Sequence, residues 1–249
     1  MIKNYSLKTD NQNLIIKSTI ISRKQCQLHF TQEIYFDYTI NMDEKNKISC
    51  SCGSCQLFLN DPLPKYSVMC ACEDCRQALR WAEMNGGKKP KDIVYSVYFR
   101  SDIQSYNGVQ NMIATQLRGD ASSTRIYCKN CFSCFAVDHI NYQNNVFMIQ
   151  PDYCKQDFNV QIPPLAVLNL QDYPGEFADL ESDTIPVFHS RKYPQERKRF
   201  LSINPISEYL SPPKIHAKGI TIRELVSKIG KIRVLDLIRG DNLEELQNE

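Results

Sequence analysis

Eleven cysteines stand out in this chain, at positions 26, 50, 52, 55, 70, 72, 75, 128, 131, 134 and 154. Nine of them form three tight triplets: C-S-C-G-S-C at 50–55, C-A-C-E-D-C at 70–75 and C-K-N-C-F-S-C at 128–134. Cysteines kept only for burial would be scattered. Disulfides need an oxidising compartment, and the N-terminal residues show no apolar core with a small-residue cleavage site, so no secretory signal is expected. An odd count would also leave one thiol unpaired. Metal binding accounts for the clustering. Thiolates two or three residues apart on a tight turn can converge on one ion, and sulfur at about 2.3 Å in tetrahedral geometry is what zinc accepts. Zinc is therefore the expected ion, with iron–sulfur chemistry the minor alternative.

Spacing leaves two partitions of these thiols open. In the local one, Cys52-x2-Cys55 joins Cys72-x2-Cys75 across sixteen residues as a closed structural site of zinc-ribbon type. In the non-local one, Cys50 and Cys52 join Cys128 and Cys131. Cys70, Cys72 and Cys75 then hold a second ion with three protein ligands and an open fourth position, the arrangement of catalytic zinc.

The order C-x-C-G, then C-x-C-x-x-C-R, then a distant C-x-x-C resembles the glutathione-dependent formaldehyde-activating enzyme family, which also contains the centromere protein V domains. The residues that carry the resemblance are Ser49-Cys50-Ser51-Cys52-Gly53, Cys70-Ala71-Cys72-Glu73-Asp74-Cys75-Arg76 and Arg125-Ile126-Tyr127-Cys128-Lys129-Asn130-Cys131. A later stretch, Asp183-Thr184-Ile185-Pro186-Val187-Phe188, is similar to the family's closing acidic-Leu-Pro-aromatic segment. The resemblance implies a mainly β fold of small antiparallel sheets, the beta-tent, over residues 45–189. It implies the non-local partition, with two Zn²⁺ per chain: a structural zinc at Cys50, Cys52, Cys128 and Cys131, and a second at Cys70, Cys72 and Cys75. It also implies a carbon–sulfur lyase reaction joining glutathione and formaldehyde into S-hydroxymethylglutathione. The chain departs from the family at Phe132, where members carry glycine after the final C-x-x-C, and in the bulky run Gln77-Ala78-Leu79-Arg80-Trp81 after the middle triplet. Cys55 and Cys134 are additional to the pattern.

The chemistry of a three-thiolate zinc agrees with that implication. Its formal charge is −1, so without extra positive charge it is a poor activator of water and better suited to holding an incoming thiol as thiolate. Arg76 and Arg80, beside the middle triplet, are candidates for holding a carboxylate of a peptide-like substrate. Trp81 is expected in the core. The four histidines, His29, His139, His189 and His216, do not sit at ligand spacing with one another. The competing class is a non-catalytic scaffold, in which both zincs only hold the fold and the extensions at 1–44 and 190–249 dock a larger protein assembly.

The elements that must position these thiols read as strands. Ile34, Phe36, Tyr38 and Ile40 alternate like a half-buried strand, as do Ile93, Tyr95, Val97 and Phe99, and Val146–Ile149 is a short apolar run of a buried strand. Residues 85–90 read as a loop. The proline-rich stretch 161–215 reads as an extended arm. Thr221-x-x-Glu224 is a capping box that opens a short helix with Ile222, Leu225, Val226 and Ile229 on one face and Gly230 as its terminator.

Composition bounds the rest. The chain has 249 residues, with 42% apolar and 23% charged residues, so a packed core is expected. Thirty basic and 28 acidic residues leave a formal charge of +2, which makes nucleic acid an unlikely partner despite the basic cluster Arg191-Lys192 and Arg197-Lys198-Arg199. No apolar run reaches membrane-spanning length. G-x-G-x-x-G, G-x-x-x-x-G-K and H-E-x-x-H do not occur. A reducing intracellular compartment is expected, cytoplasmic first, with mitochondrial or nuclear placement open.

Overall fold

The computed structural model describes residues 6–10, 13–17, 45–175, 185–210 and 217–239. The expected strand at 34–40, together with Cys26, His29, His216, Asp183 and Thr184, lies outside the described residues. Two compact units divide the chain, Met1–Asn41 and Met42–Glu249. The first contains an antiparallel hairpin of β1 (Ser6–Asp10) and β2 (Asn13–Lys17).

The second unit is mainly β. Its strands are β3 (Lys47–Ser49), β4 (Gln56–Leu59), β5 (Tyr66–Cys70), β6 (Val94–Arg100), β7 (Ile103–Asn107), β8 (Met112–Gln116), β9 (Ser123–Cys128), β10 (Cys134–His139), β11 (Val146–Ile149), β12 (Lys155–Gln156), β13 (Val167–Leu168), β14 (Val187–Phe188) and β15 (Arg233–Val234). The helices are α1 (Glu73–Met84), α2 (Pro194–Leu201), α3 (Ile206–Leu210) and α4 (Ile222–Ile229). Nine strands form one sheet in the order β14-β13-β5-β6-β11-β10-β9-β8-β15, and four form another in the order β12-β3-β4-β7.

The larger sheet is covered on both faces. On one face Leu79, Trp81 and Ala82 of α1 pack with Phe200 of α2, Ile206 of α3, and Tyr66, Tyr98 and Tyr127 of the sheet. On the other, Ile48, Leu57 and Leu59 of the small sheet and Ile222 and Leu225 of α4 pack with Val97, Phe99 and Phe147. This arrangement corrects the reading of residues 93–99. β6 is a central strand, not a half-buried one: Val97 and Phe99 enter one core while Val94 and Tyr98 enter the other. Its alternation in sequence reflects residue shape on two apolar faces, a pattern that resembles a half-solvated strand whenever serine or tyrosine falls between aliphatics. Val146–Ile149 is the buried strand expected.

The stretch 161–215 is not an extended arm where it is described. β13 pairs in parallel with β5 and with β14, and Pro194 sits in the first turn of α2, where its missing N–H costs nothing. Proline density here marks helix starts and short edge strands, both of which tolerate it. The basic cluster lies on and before α2, with Arg191 over the Phe200 ring at 5.6 Å and Arg199 over Phe188 at 5.3 Å. α4 has the expected capping box of Thr221 and Glu224, and Gly230 ends it at φ 100°.

Candidate metal centres

Two turns, one from each sheet, meet to build the first group. After β3 the chain folds back so that Gly53 N donates to Cys50 O at 3.1 Å and Cys50 N to Cys55 O at 3.1 Å. Gly53 adopts φ 81°, a conformation that favours glycine. After β9 the chain makes a matching turn, with Phe132 N donating to Cys128 O at 2.9 Å and Cys128 N to Ser133 O at 3.2 Å. A serine clasp joins the turns: Ser133 Oγ donates to Ser51 Oγ at 2.7 Å and accepts from Ser51 N at 2.9 Å. The sulfurs of Cys50, Cys52, Cys128 and Cys131 all come within 4.8 Å of one another. Cys50 and Cys52 are 3.5 Å apart, and Cys52 and Cys128 3.7 Å. A tetrahedral ion with sulfur at about 2.3 Å requires sulfurs about 3.8 Å apart, so the donor set fits such an ion; a disulfide would need about 2.0 Å.

Backbone N–H groups aimed at sulfur favour thiolate over thiol. Cys55 N donates to Cys50 Sγ at 3.3 Å, and Asn130 N to Cys128 Sγ at 3.4 Å. Burial works the other way and, without a metal, pushes the Cys50 and Cys128 thiols up to about 12. The exposed Cys52 is held down to about 6, chiefly by Ser54. At Cys131 burial opposes the thiolate, but Ser133 outweighs it and the thiol is lowered.

Phe132 occupies the left-handed position at φ 49°, where glycine costs nothing and a larger residue about 1–2 kcal/mol. Its ring meets the Trp81 ring edge-on at 5.6 Å, and this contact offsets the strain. Phe132→Ala should therefore lose the ring and keep the strain, at about 2 kcal/mol, whereas Phe132→Gly relieves the strain and costs about 1 kcal/mol. Urea unfolding of the metal-loaded variants checks the order; equal losses would mean the turn is unstrained.

The second group sits where β5 runs into α1. Cys70 ends the strand, Cys72 is the N-cap of α1 and accepts from Cys75 N at 3.3 Å, and Cys75 lies in the first turn. The three sulfurs lie within 4.8 Å of one another, with Cys75 and Cys70 4.0 Å apart. A helix N-terminus favours negative charge on such thiols. Asn169, in the left-handed conformation, donates Nδ2 to Cys70 Sγ at 3.5 Å. Bonds from Cys72 and then Cys75 keep the Cys70 thiol well below its ordinary value, while bonds to Cys70 and then Cys75 push the Cys72 thiol well up. Among the described residues this group has no fourth His, Cys, Asp or Glu ligand.

Neither group mixes the first and second triplets, so the local zinc-ribbon partition does not occur. Cys55 is buried beside the first group with its sulfur donating to Gly108 O at 3.7 Å. Cys134 is buried in the core that holds Trp81 and Tyr127, and burial raises its thiol to about 11.

A cavity of about 470 Å³ opens on the three-sulfur group. Its cations are Arg118, Arg125, Arg191, Lys192, Arg197 and Arg239, set against the carboxylates Asp74, Asp120 and Asp172. This excess favours an anionic occupant. Neither Arg76 nor Arg80, the arginines that the sequence placed at a substrate, lines it. Arg76 instead donates to the carbonyls of Ala71 and Asp172, tying the Cys70–Cys72 turn to the segment after β13. Leu79 and Trp81 are core residues and leave the cavity clear. Sequence reasoning missed Asn169, Arg118, Tyr98 and Tyr142, which come from separate places in the chain and carry no local motif, and it named Arg125 only as part of the third cysteine motif, with no role at the cavity. It gave Arg191 only as part of a basic cluster.

The cavity supplies donors more than bases. Tyr142 donates to Tyr98 at 3.2 Å, and burial pushes Tyr98 up to about 12. Burial lowers His139 to about 4, and its Nδ1 accepts from Asn141 N at 3.0 Å, which leaves the neutral ring's proton on Nε2.

Compared with known proteins, the chain matches no family model and no curated protein. Among the described residues no helix is long and apolar enough to cross a membrane.

Proposed function

We propose that this chain is a beta-tent protein of the glutathione-dependent formaldehyde-activating type, with two zinc ions of different duties. Cys50, Cys52, Cys128 and Cys131 hold a structural zinc; Cys70, Cys72 and Cys75 hold a zinc that takes a substrate thiol. The observation that carries this reading is the contrast between the groups: four sulfurs close one, while three sulfurs face a cationic cavity in the other. A zinc ion on the three thiolates supplies a Lewis-acidic vertex that favours sulfur over water.

The proposed reaction is addition of the glutathione thiol to formaldehyde, a carbon–sulfur lyase step in reverse. A sulfur–carbon bond forms, the carbonyl π bond opens to a hydroxyl, and the thiol proton ends on that oxygen. No oxidant or reductant is consumed. Lys192 and Arg197, exposed at the cavity, are suited to the carboxylates of glutathione. Tyr98, which accepts from Tyr142 and so keeps its own hydroxyl proton free, can donate to the developing oxyanion.

Calorimetric titration of glutathione into the zinc-loaded protein tests this reading. Saturable heat at millimolar ligand or below is expected, with two zincs per chain by elemental analysis. No heat at millimolar glutathione would overturn the lyase reading and favour a scaffold in which both ions serve the fold.

A further inference from the structure

The cavity beside the three sulfurs contains more buried positive charge than its carboxylates match. Asp74 is already engaged, by Arg118 at 2.5 Å and Arg239 at 3.2 Å. Of the three guanidinium groups that remain, Arg197 is exposed, and two have a buried Nε. Arg125, on β9, is 3% exposed; one terminal nitrogen donates to Asp74 O at 3.2 Å, which seats it against the first turn of α1 between Cys72 and Cys75. Its Nε is buried with no partner. Arg191, just after β14, also has a buried Nε with no partner. Among the described residues no carboxylate lies within ion-pair reach of either group. Two unmatched charges are costly to bury, and buried charges are paired or serve a metal.

Three thiolates and a divalent ion carry a net charge of −1, which is the counter-charge this pair lacks. We propose that Arg125 and Arg191 are charge-compensating positioning residues for a divalent, thiophilic metal on Cys70, Cys72 and Cys75. The inference rests on the reading that these three residues hold an ion. The two arginines turn the local charge from −1 to +1, so an anionic fourth ligand completes a neutral site. That selects a thiolate over a neutral ligand, and it answers how a trithiolate ion can accept one more negative sulfur. The protonated form of Arg125 is favoured by Cys75, and that of Arg191 by Cys70, against the effect of burial.

The test uses the full chain loaded with Co²⁺, whose thiolate charge-transfer band reports each site. Arg191→Gln should weaken the second Co²⁺ roughly tenfold in chelator competition, the order expected for loss of one partly buried unit charge. It should leave the first ion unchanged. Titration with 2-mercaptoethanol, which carries no carboxylate, should weaken by a similar factor, and Arg191→Lys should restore most of both. Arg125→Gln is the parallel variant, with retention of the first ion certifying its fold. Wild-type affinity for both Co²⁺ and 2-mercaptoethanol in Arg191→Gln and Arg125→Gln would overturn the proposal. So would a loss confined to mercaptoacetate, which would make the arginines readers of a substrate carboxylate. A wild-type protein that binds only one Co²⁺ per chain would overturn the three-sulfur metal site itself, and this inference with it.

Discussion

The Cys128→Ser variant is expected to lose cooperative folding. Cys128 ends β9 in the large sheet, while Cys50 and Cys52 follow β3 in the small one. An ion on these sulfurs closes a loop of 76 residues between Cys52 and Cys128. A structural zinc contributes on the order of 10 kcal/mol of apparent folding energy, and a domain of this size has a net stability of about 5–15 kcal/mol. Replacing one of four ligands therefore removes a share comparable to the whole. Without the metal, three thiols remain; Cys50, the buried one, is kept by that burial far from its ionised form. The expected result is a flattened near-ultraviolet circular dichroism spectrum and no sharp thermal transition. Cys134→Ala is the control. That thiol is equally buried but lies outside both groups, so it should cost about 1–2 kcal/mol and retain both metals. A sharply melting Cys128→Ser protein with two bound zincs would refute the pairing of early and late triplets.

Cys72→Ser should have the opposite profile. Its side chain caps α1 by accepting from Cys75 N, and serine is among the best residues for that bond. The helix start therefore survives, and the melting temperature should stay within a few degrees of wild type. The second ion loses one of three ligands, and its occupancy should fall to near zero. Glutathione binding should fall with it by at least about a hundredfold, since losing the ion exceeds the roughly 10–100-fold cost of losing even an outer-shell partner of a ligand. Elemental analysis should read one zinc per chain. If glutathione still bound with wild-type affinity, the cavity would recognise it without the metal, and the chemistry proposed here would fail.

The candidate ligand pairs were legible because short-range geometry decides them. Two thiols separated by one or two residues on a tight turn are preset to point at a common centre wherever the turn ends up. The departure at Phe132, where the resembled family carries glycine, falls on a left-handed turn position, a feature that depends on one turn alone. The capping box of α4 depends only on Thr221 and Glu224, three residues apart.

Other features were hidden because they depend on distance through space. β6 reads as half-buried until a second sheet covers its other face. Residues 161–175 read as an arm until β13 is seen pairing with β5 and bringing Asn169 to the Cys70 sulfur. Arg76 looked poised for substrate because it adjoins the triplet; folding engages it with two carbonyls, while Arg125 on β9 and Arg191 in the turn after β14 reach the cavity from distant parts of the chain.

By itself, then, the order of residues determined that thiols would gather on tight turns, that the framework would be mainly β, and where the last helix begins and ends. Each of these is settled by neighbours within a few positions. Only the tertiary structure decided which triplets bring their sulfurs together, which group has three sulfurs, and which arginines surround it. Those outcomes depend on how two sheets close on each other, and sequence separation contains no information about that closure.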